Sequence, residues 1–213
     1  MVIIPVGYLN IAATVPSTHA LGPGERAVVW VQGCPFRCAG CIAPEWLPID
    51  NIHLMPIEDL VDRLLSSPSV TGLTFSGGEP MLQAGSLAQV ARLVRQRRDV
   101  NIITFSGYAY EILQRKSMAS GIPELLSQID VLIDGPYIKA LNNGVGLRGS
   151  SNQRIIHLTS RLQQYDLEKW PRGVEINLSG NEIVSVGIPD FEVLNSVEAA
   201  IGSALMAQRQ AFL

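Results

Sequence analysis

Three cysteines, Cys34, Cys38 and Cys41, are all that the 213-residue chain contains, and they fall within one short loop as C-x3-C-x2-C. Thiolates at this spacing can converge on one centre, and soft thiolates favour iron–sulfur clusters, zinc or copper(I). Three ligands rather than four is the informative detail. A [4Fe–4S] cluster held by three cysteines keeps one iron without a protein ligand, where a substrate or cofactor can bind. An odd number of cysteines, all clustered, argues against a disulfide framework and for a reducing compartment. The expected location is therefore cytoplasmic.

The elements around this loop say how it would be positioned. Ala27–Gln32 is a buried-type strand, and Gly33 permits a sharp turn into the cysteines. Residues 1–26 read as irregular, and the cysteine loop runs on to about Pro56 through Pro35, Pro44 and Pro48. Ile57, Leu60, Val61, Leu64 and Leu65 recur at helical spacing. A second strand, Val70–Phe75, ends in Ser76-Gly77-Gly78-Glu79-Pro80, and a helix follows over 84–98. A third strand, Val100–Phe105, stops at Ser106-Gly107. Helices near 109–116 and 123–128 lead to a fourth strand, Val131–Asp134, closed by Gly135-Pro136. The Gly/Asn-rich segment 137–153, with Arg148, Asn152 and Gln153, reads as a functional loop. Beyond it come a fifth strand over 154–158, a helix over 160–168, a strand pair 174–178 and 183–186 about the turn Ser179-Gly180-Asn181, and a terminal helix over 190–213.

Strand and helix alternate, and the strands are apolar runs rather than alternating patterns, the signature of a parallel sheet covered by helices. The fold class is α/β, in one domain over 1–213. Sites in such folds form at the carboxyl ends of strands, and three strands here end in the cysteine loop, in SGGEP and in DGP. Composition fits a compact globular protein rather than a disordered or nucleic-acid-coating one: 47% hydrophobic and 16% charged residues. A net charge of −3 gives no electrostatic reason to expect nucleic acid or an acidic membrane surface. The basic run Arg95–Arg98 sits where a helix ends and complements its dipole. The first ten residues lack the basic lead of a signal peptide, and no apolar run is long enough to span a bilayer.

The cysteine spacing after the first strand and Gly77-Gly78-Glu79-Pro80 after the second resemble the radical S-adenosylmethionine (SAM) superfamily. More narrowly, GPGERAVVWVQGCPFRCAGC (22–41), Trp46, TFSGGEPMLQ (74–83), DVLIDGPY (130–137) and LRGSSNQRI (147–155) resemble the activating enzymes of anaerobic ribonucleotide reductase and other glycyl radical enzymes. Leu21 stands where those activases often carry a polar residue, and residues 159–213 extend beyond the shortest of them.

The resemblance implies an incomplete parallel β/α barrel with its core at about 20–158 and a C-terminal extension at about 159–213. It implies a [4Fe–4S] cluster on Cys34, Cys38 and Cys41, whose open iron binds SAM. One electron from the cluster would cleave the sulfonium to methionine and a 5′-deoxyadenosyl radical, which takes hydrogen from a protein partner, a glycyl radical enzyme. A flavodoxin or ferredoxin would donate the electron. Gly77 and Gly78 would let the backbone approach the ligand, and Glu79 would face the SAM amino group. Ser106 and Asp134 would meet the ribose hydroxyls or the amino group, and Arg148 the carboxylate.

Other readings compete. Three cysteines with His19, His53 or His157 would make a closed zinc site, and Cys38-x-x-Cys41 alone suggests a redox pair; the motif after the second strand weighs against the first, and the third cysteine with the lack of a helix start at Cys38 weighs against the second. The same radical chemistry could act on a peptide, nucleoside or other metabolite, and a non-catalytic metal-binding module would need no Gly77-Gly78-Glu79. Trp30, Trp46, Tyr108 and Tyr110 read as packing or surface residues.

Overall fold

The computed structural model describes residues 4–50, 53–115, 121–179, 182–189 and 196. A seven-stranded sheet forms its centre. Its strands are β1 (Tyr8–Thr18), β2 (Arg26–Val31), β3 (Leu54–Pro56), β4 (Gly72–Gly77), β5 (Asn101–Ser106), β6 (Val131–Asp134) and β7 (Arg154–His157), in the spatial order β3-β1-β2-β4-β5-β6-β7. The four central strands, β2, β4, β5 and β6, run parallel. Helices α1 (Ile57–Leu64), α2 (Ala84–Arg97), α3 (Tyr110–Leu113) and α4 (Ile122–Leu126) fill the crossovers. The fold is mixed α/β with a largely parallel sheet.

Alternation along the strands builds two cores. Ala27, Val29 and Val31 of β2, with Leu73 and Phe75 of β4, turn to the helix-covered face and pack on Leu60, Leu64, Leu87 and Val94. Val28 and Trp30 of β2, Ile103 of β5 and Ile133 of β6 turn to the other face. Burial on both faces is why these strands read as unbroken apolar runs.

Three expectations change. Residues 8–18, read as irregular, form the longest strand, β1, antiparallel to β2 with register shifts at Ile11/Ala13 and Val15/Thr18. Its half-buried residues and Pro16 at a bulge hide the period-two signal. The sheet is not wholly parallel, because β1 and β7 pair antiparallel to their neighbours. The helix expected over 160–168 is replaced by turns and a 3-10 turn at Leu167–Lys169, where the Asp166 carboxylate accepts from the Lys169 N–H. That local capping satisfies the backbone without a longer helix.

Strands β8 (Val174–Ser179) and β9 (Glu182–Gly187) form the expected pair. The tip of its turn, the end of the helix near 116, and the terminal helix apart from Ser196 lie outside the described residues. Among the described residues, no helix is long and apolar enough to cross a membrane.

Buried cations and amides brace both ends of the sheet. Arg26, fully buried on β2, donates to Thr74 Oγ1 at 2.8 Å, the Pro23 carbonyl at 3.0 Å, Asn101 Oδ1 at 2.6 Å and the Leu73 carbonyl. Burial pulls its pKa down to about 9. At the opposite end Gln83 donates to the carbonyls of Asn10 (2.8 Å) and Gln32 (3.1 Å) and accepts from the Asn10 N–H (2.8 Å). That amide ties β1 to the residue where β2 gives way to the cysteine loop.

Candidate functional site

The cysteine loop leaves β2 at Gln32 and is closed on itself by backbone bonds. The Gly33 N–H donates to the Trp46 carbonyl at 2.9 Å and the Cys34 N–H to the Leu47 carbonyl at 3.0 Å. Gln32 also donates its side-chain amide to the Pro48 carbonyl at 2.8 Å. Pro35 and Pro48 interrupt this stretch and Pro44 opens a single 3-10 turn over Pro44–Trp46, so these few bonds decide where the thiols lie.

Gly77 and Gly78 lock the end of β4 to the base of that loop. The Gly78 N–H donates to the Val31 carbonyl (2.7 Å) and the Glu79 N–H to the Gly33 carbonyl (2.9 Å). A Cβ on Gly77 would fall 2.4 Å from the Val31 nitrogen, at a φ of +105°. A Cβ on Gly78 would fall 2.2 Å from the Gly33 carbonyl oxygen. The sequence reading gives these glycines to a ligand; the structure shows that they first admit a neighbouring backbone.

Glu79 follows, almost wholly buried. Its carboxylate accepts from the Met81 N–H (2.9 Å), the Ser106 hydroxyl (2.9 Å) and the Gly107 N–H (2.7 Å). Burial pushes its pKa up to about 7, although the Met81, Gly107 and Ser106 bonds pull it down. Ser106 thus meets Glu79 directly.

One cavity of about 210 Å³ collects these groups. Cys34, Cys38 and Cys41 line it together with Gly77, Gly78, Glu79, Ser106 and Gly107. Its apolar lining includes Leu21, Trp30, Trp46 and Phe105. Among the described residues, Glu79 is the only charged one on its lining. The thiols are free and partly exposed. Burial raises the Cys34 pKa to about 11 and also raises that of Cys41. Trp30 and Trp46 pack on each other, with ring centroids 5.8 Å apart, and face the cavity as well. Tyr108 meets the Phe36 ring edge-on at 4.8 Å and so joins the end of β5 to the cysteine loop.

Asp134 and Arg148 take other places. Asp134, buried at the end of β6, accepts from Arg154 Nε at 2.9 Å and from the Tyr110 N–H at 2.7 Å, and Arg154 Nη2 also pairs with it. Arg148 pairs with Glu168 at 2.6 Å and donates to the Gln153 carbonyl at 3.1 Å, while its buried Nε has no partner. Neither lines the cavity; their neighbours Gly135, Gly149 and Gln153 do. Gln153 is a residue the sequence places only in the loop. Its side-chain oxygen accepts from the Gly149 and Ser150 N–H groups, and its amide donates to the Gly135 carbonyl. Its sequence signal was its place beside Arg148 and Asn152 in LRGSSNQRI (147–155), one of the stretches that carry the resemblance.

The donor set fits an iron–sulfur cluster. Among the described residues, no three His, Cys, Asp or Glu side chains converge on a position for a single metal ion. A cluster spreads its thiolates over different irons, and three soft donors around one cavity suit it. A buried carboxylate with no cation on the same lining also suits a ligand that brings a positive charge.

Comparison with known proteins adds the lineage. Residues 20–156 match the family model for a 4Fe-4S single cluster domain. The anaerobic ribonucleoside-triphosphate reductase-activating protein of Enterobacteria phage T4 is 29% identical over 163 residues, covering 74% of this chain and all of that protein. Its namesake from Vibrio cholerae is 33% identical over 146 residues, 64% of this chain and 89% of the relative. The pyruvate formate-lyase-activating enzyme of Clostridium pasteurianum is 35% identical over 94 residues, 42% of this chain and 40% of that enzyme.

Proposed function

As a member of the 4Fe-4S single cluster domain family and of the radical SAM activating proteins, with a [4Fe–4S] cluster and SAM as its cofactors, the chain is an enzyme of the activating type, and we propose that it generates a radical on a glycyl radical enzyme. The observation that carries this reading is a single cavity bringing three free thiols and one lone buried carboxylate together.

In this reading Cys34, Cys38 and Cys41 would hold the cluster, and the cavity they share with Glu79 would hold SAM beside it. When bound, the two cofactors supply reductive cleavage of the sulfonium and a carbon radical able to abstract hydrogen. The protein's own task is placement. Glu79 receives the ammonium group, and the Ser106 hydroxyl and Gly107 N–H, which already donate to its carboxylate, hold it in position. Gly77 and Gly78 keep Glu79 at the base of the cysteine loop. Leu21, Trp30 and Phe105 keep water from the apolar part of the cavity. Asp134 and Arg148 enter as supports: Asp134 fixes the start of α3 through the Tyr110 N–H, and Arg148 steadies the turn that presents Gln153.

We read the chain as an incomplete β/α barrel in a single domain over 1–213, with its core at about 20–158 and a C-terminal extension at about 159–213, a reading supported by the four parallel strands. A flavodoxin or ferredoxin is the proposed electron donor, and the three free thiols suit a cytoplasmic setting. The test mixes the reconstituted protein, SAM and dithionite with an anaerobic ribonucleoside-triphosphate reductase. A carbon-centred radical signal on the reductase, absent with Cys38→Ala, is the expected result. Methionine release without any radical on the reductase would overturn the activating role.

A further inference from the structure

The matched family region ends at residue 156, yet three residues beyond it, Gly187, Ile188 and Pro189, line the same cavity as the cysteines and Glu79. They arrive at the end of the β8–β9 hairpin. That hairpin is fastened to β1: the Glu175 carboxylate accepts from the Thr18 hydroxyl at 2.5 Å and the His19 N–H at 2.9 Å. Its exit is equally fixed. Gly187 pairs with Val174 at a φ of +148°, and a Cβ there would lie 2.1 Å from the Gly173 carbonyl oxygen.

Ile188 follows that glycine and is half-buried. It packs on both clusters of the sheet face opposite the helices, the one around Trp30 and the one around Ile133. Through this residue the chain covers part of that face with its own C-terminal segment.

We propose that the C-terminal hairpin is a wall of the active site and that Ile188 is a specificity-determining residue. It limits the bulk of the substrate residue that flanks the position losing hydrogen. The inference rests on the reading that the cavity is where the radical acts. Within the glycine-bearing peptide that the proposed function already implies, Ile188 selects a small neighbour beside the reacting glycine. A branched aliphatic side chain on the cavity wall sets size discrimination directly, since one methylene in an apolar pocket is worth about tenfold or more.

The experiment uses the reconstituted protein and two synthetic peptides, each with one α-dideuterated glycine, flanked by alanine in one and leucine in the other. Fluorescence anisotropy reads binding without turnover, and deuterium in the 5′-deoxyadenosine formed reads hydrogen transfer. The wild type is expected to favour the alanine peptide, and Ile188→Ala to shift the preference toward leucine by about a hundredfold. Ile188→Val, one methyl smaller, should shift it less in the same direction, and serves where the alanine variant fails to load iron and sulfide.

An unchanged preference in a variant that loads its cluster normally would overturn the proposal. So would a wild type that cleaves SAM yet binds neither peptide. If the wild type cleaves no SAM, the activating role fails, and the binding preferences still decide whether Ile188 sets the size of the site.

Discussion

Glu79 joins the two halves of the site, and its surroundings fix its charge. It is buried, it accepts three hydrogen bonds, and its pKa is still pushed up to about 7 by loss of water. In the cofactor-free protein, the folded state therefore keeps a proton that the unfolded chain has released between its ordinary value of 4.5 and about 7. The stability this contributes is full below pH 4.5 and is lost as pH rises through 7, a difference of about 3 kcal/mol. Urea unfolding at pH 5 and pH 8 should show the wild type losing more stability than Glu79→Gln by that order. Equal losses in the two proteins would contradict the burial argument. In the proposed reading, a bound ammonium group would remove the penalty and favour a positively charged ligand at this site.

At the scale of elements, the junction of β4 with the cysteine loop depends on backbone contact. Gly78→Ala would place a methyl 2.2 Å from the Gly33 carbonyl oxygen, with two backbones opposed and neither free to yield. The expected cost is about 3 kcal/mol or more. Gly144→Ala meets nothing within 4 Å and adds only the strain of a φ of +73°, about 1 kcal/mol. Denaturant unfolding of both variants would separate the effects, and similar losses would refute the close approach.

The sequence held much of this level. The four parallel strands and the three motifs at their carboxyl ends follow from apolar runs and punctuation, and they do share a cavity, apart from Asp134. β1 escaped because its half-buried residues break the alternation, and the 160–168 helix failed because Asp166 caps a tighter turn. The partners of Asp134 and Arg148 were out of reach, since Arg154 and Glu168 are reached only through tertiary pairing. The same holds for Gln83, whose three contacts lie 51 and 73 residues away.

For the whole molecule, the C-terminal hairpin covers part of the sheet face opposite the helices with the chain's own residues. Its attachment to the main sheet runs through Glu175 and through Val184, Val186 and Ile188. Glu175→Ala removes both hydrogen bonds and should cost about 1–2 kcal/mol. Limited proteolysis should then cut within 174–187 faster than in the wild type, while α2 stays protected. Unchanged cleavage would mean that apolar packing alone holds the hairpin. The central claim concerns the cavity beneath it: three thiols hold a cluster that works on SAM. Anaerobic reconstitution followed by dithionite and SAM tests this most directly. The account predicts about four irons and four sulfides per chain, with 5′-deoxyadenosine released by the wild type and not by Cys38→Ala. One zinc without labile sulfide, or a fully loaded cluster that releases no 5′-deoxyadenosine, would contradict it.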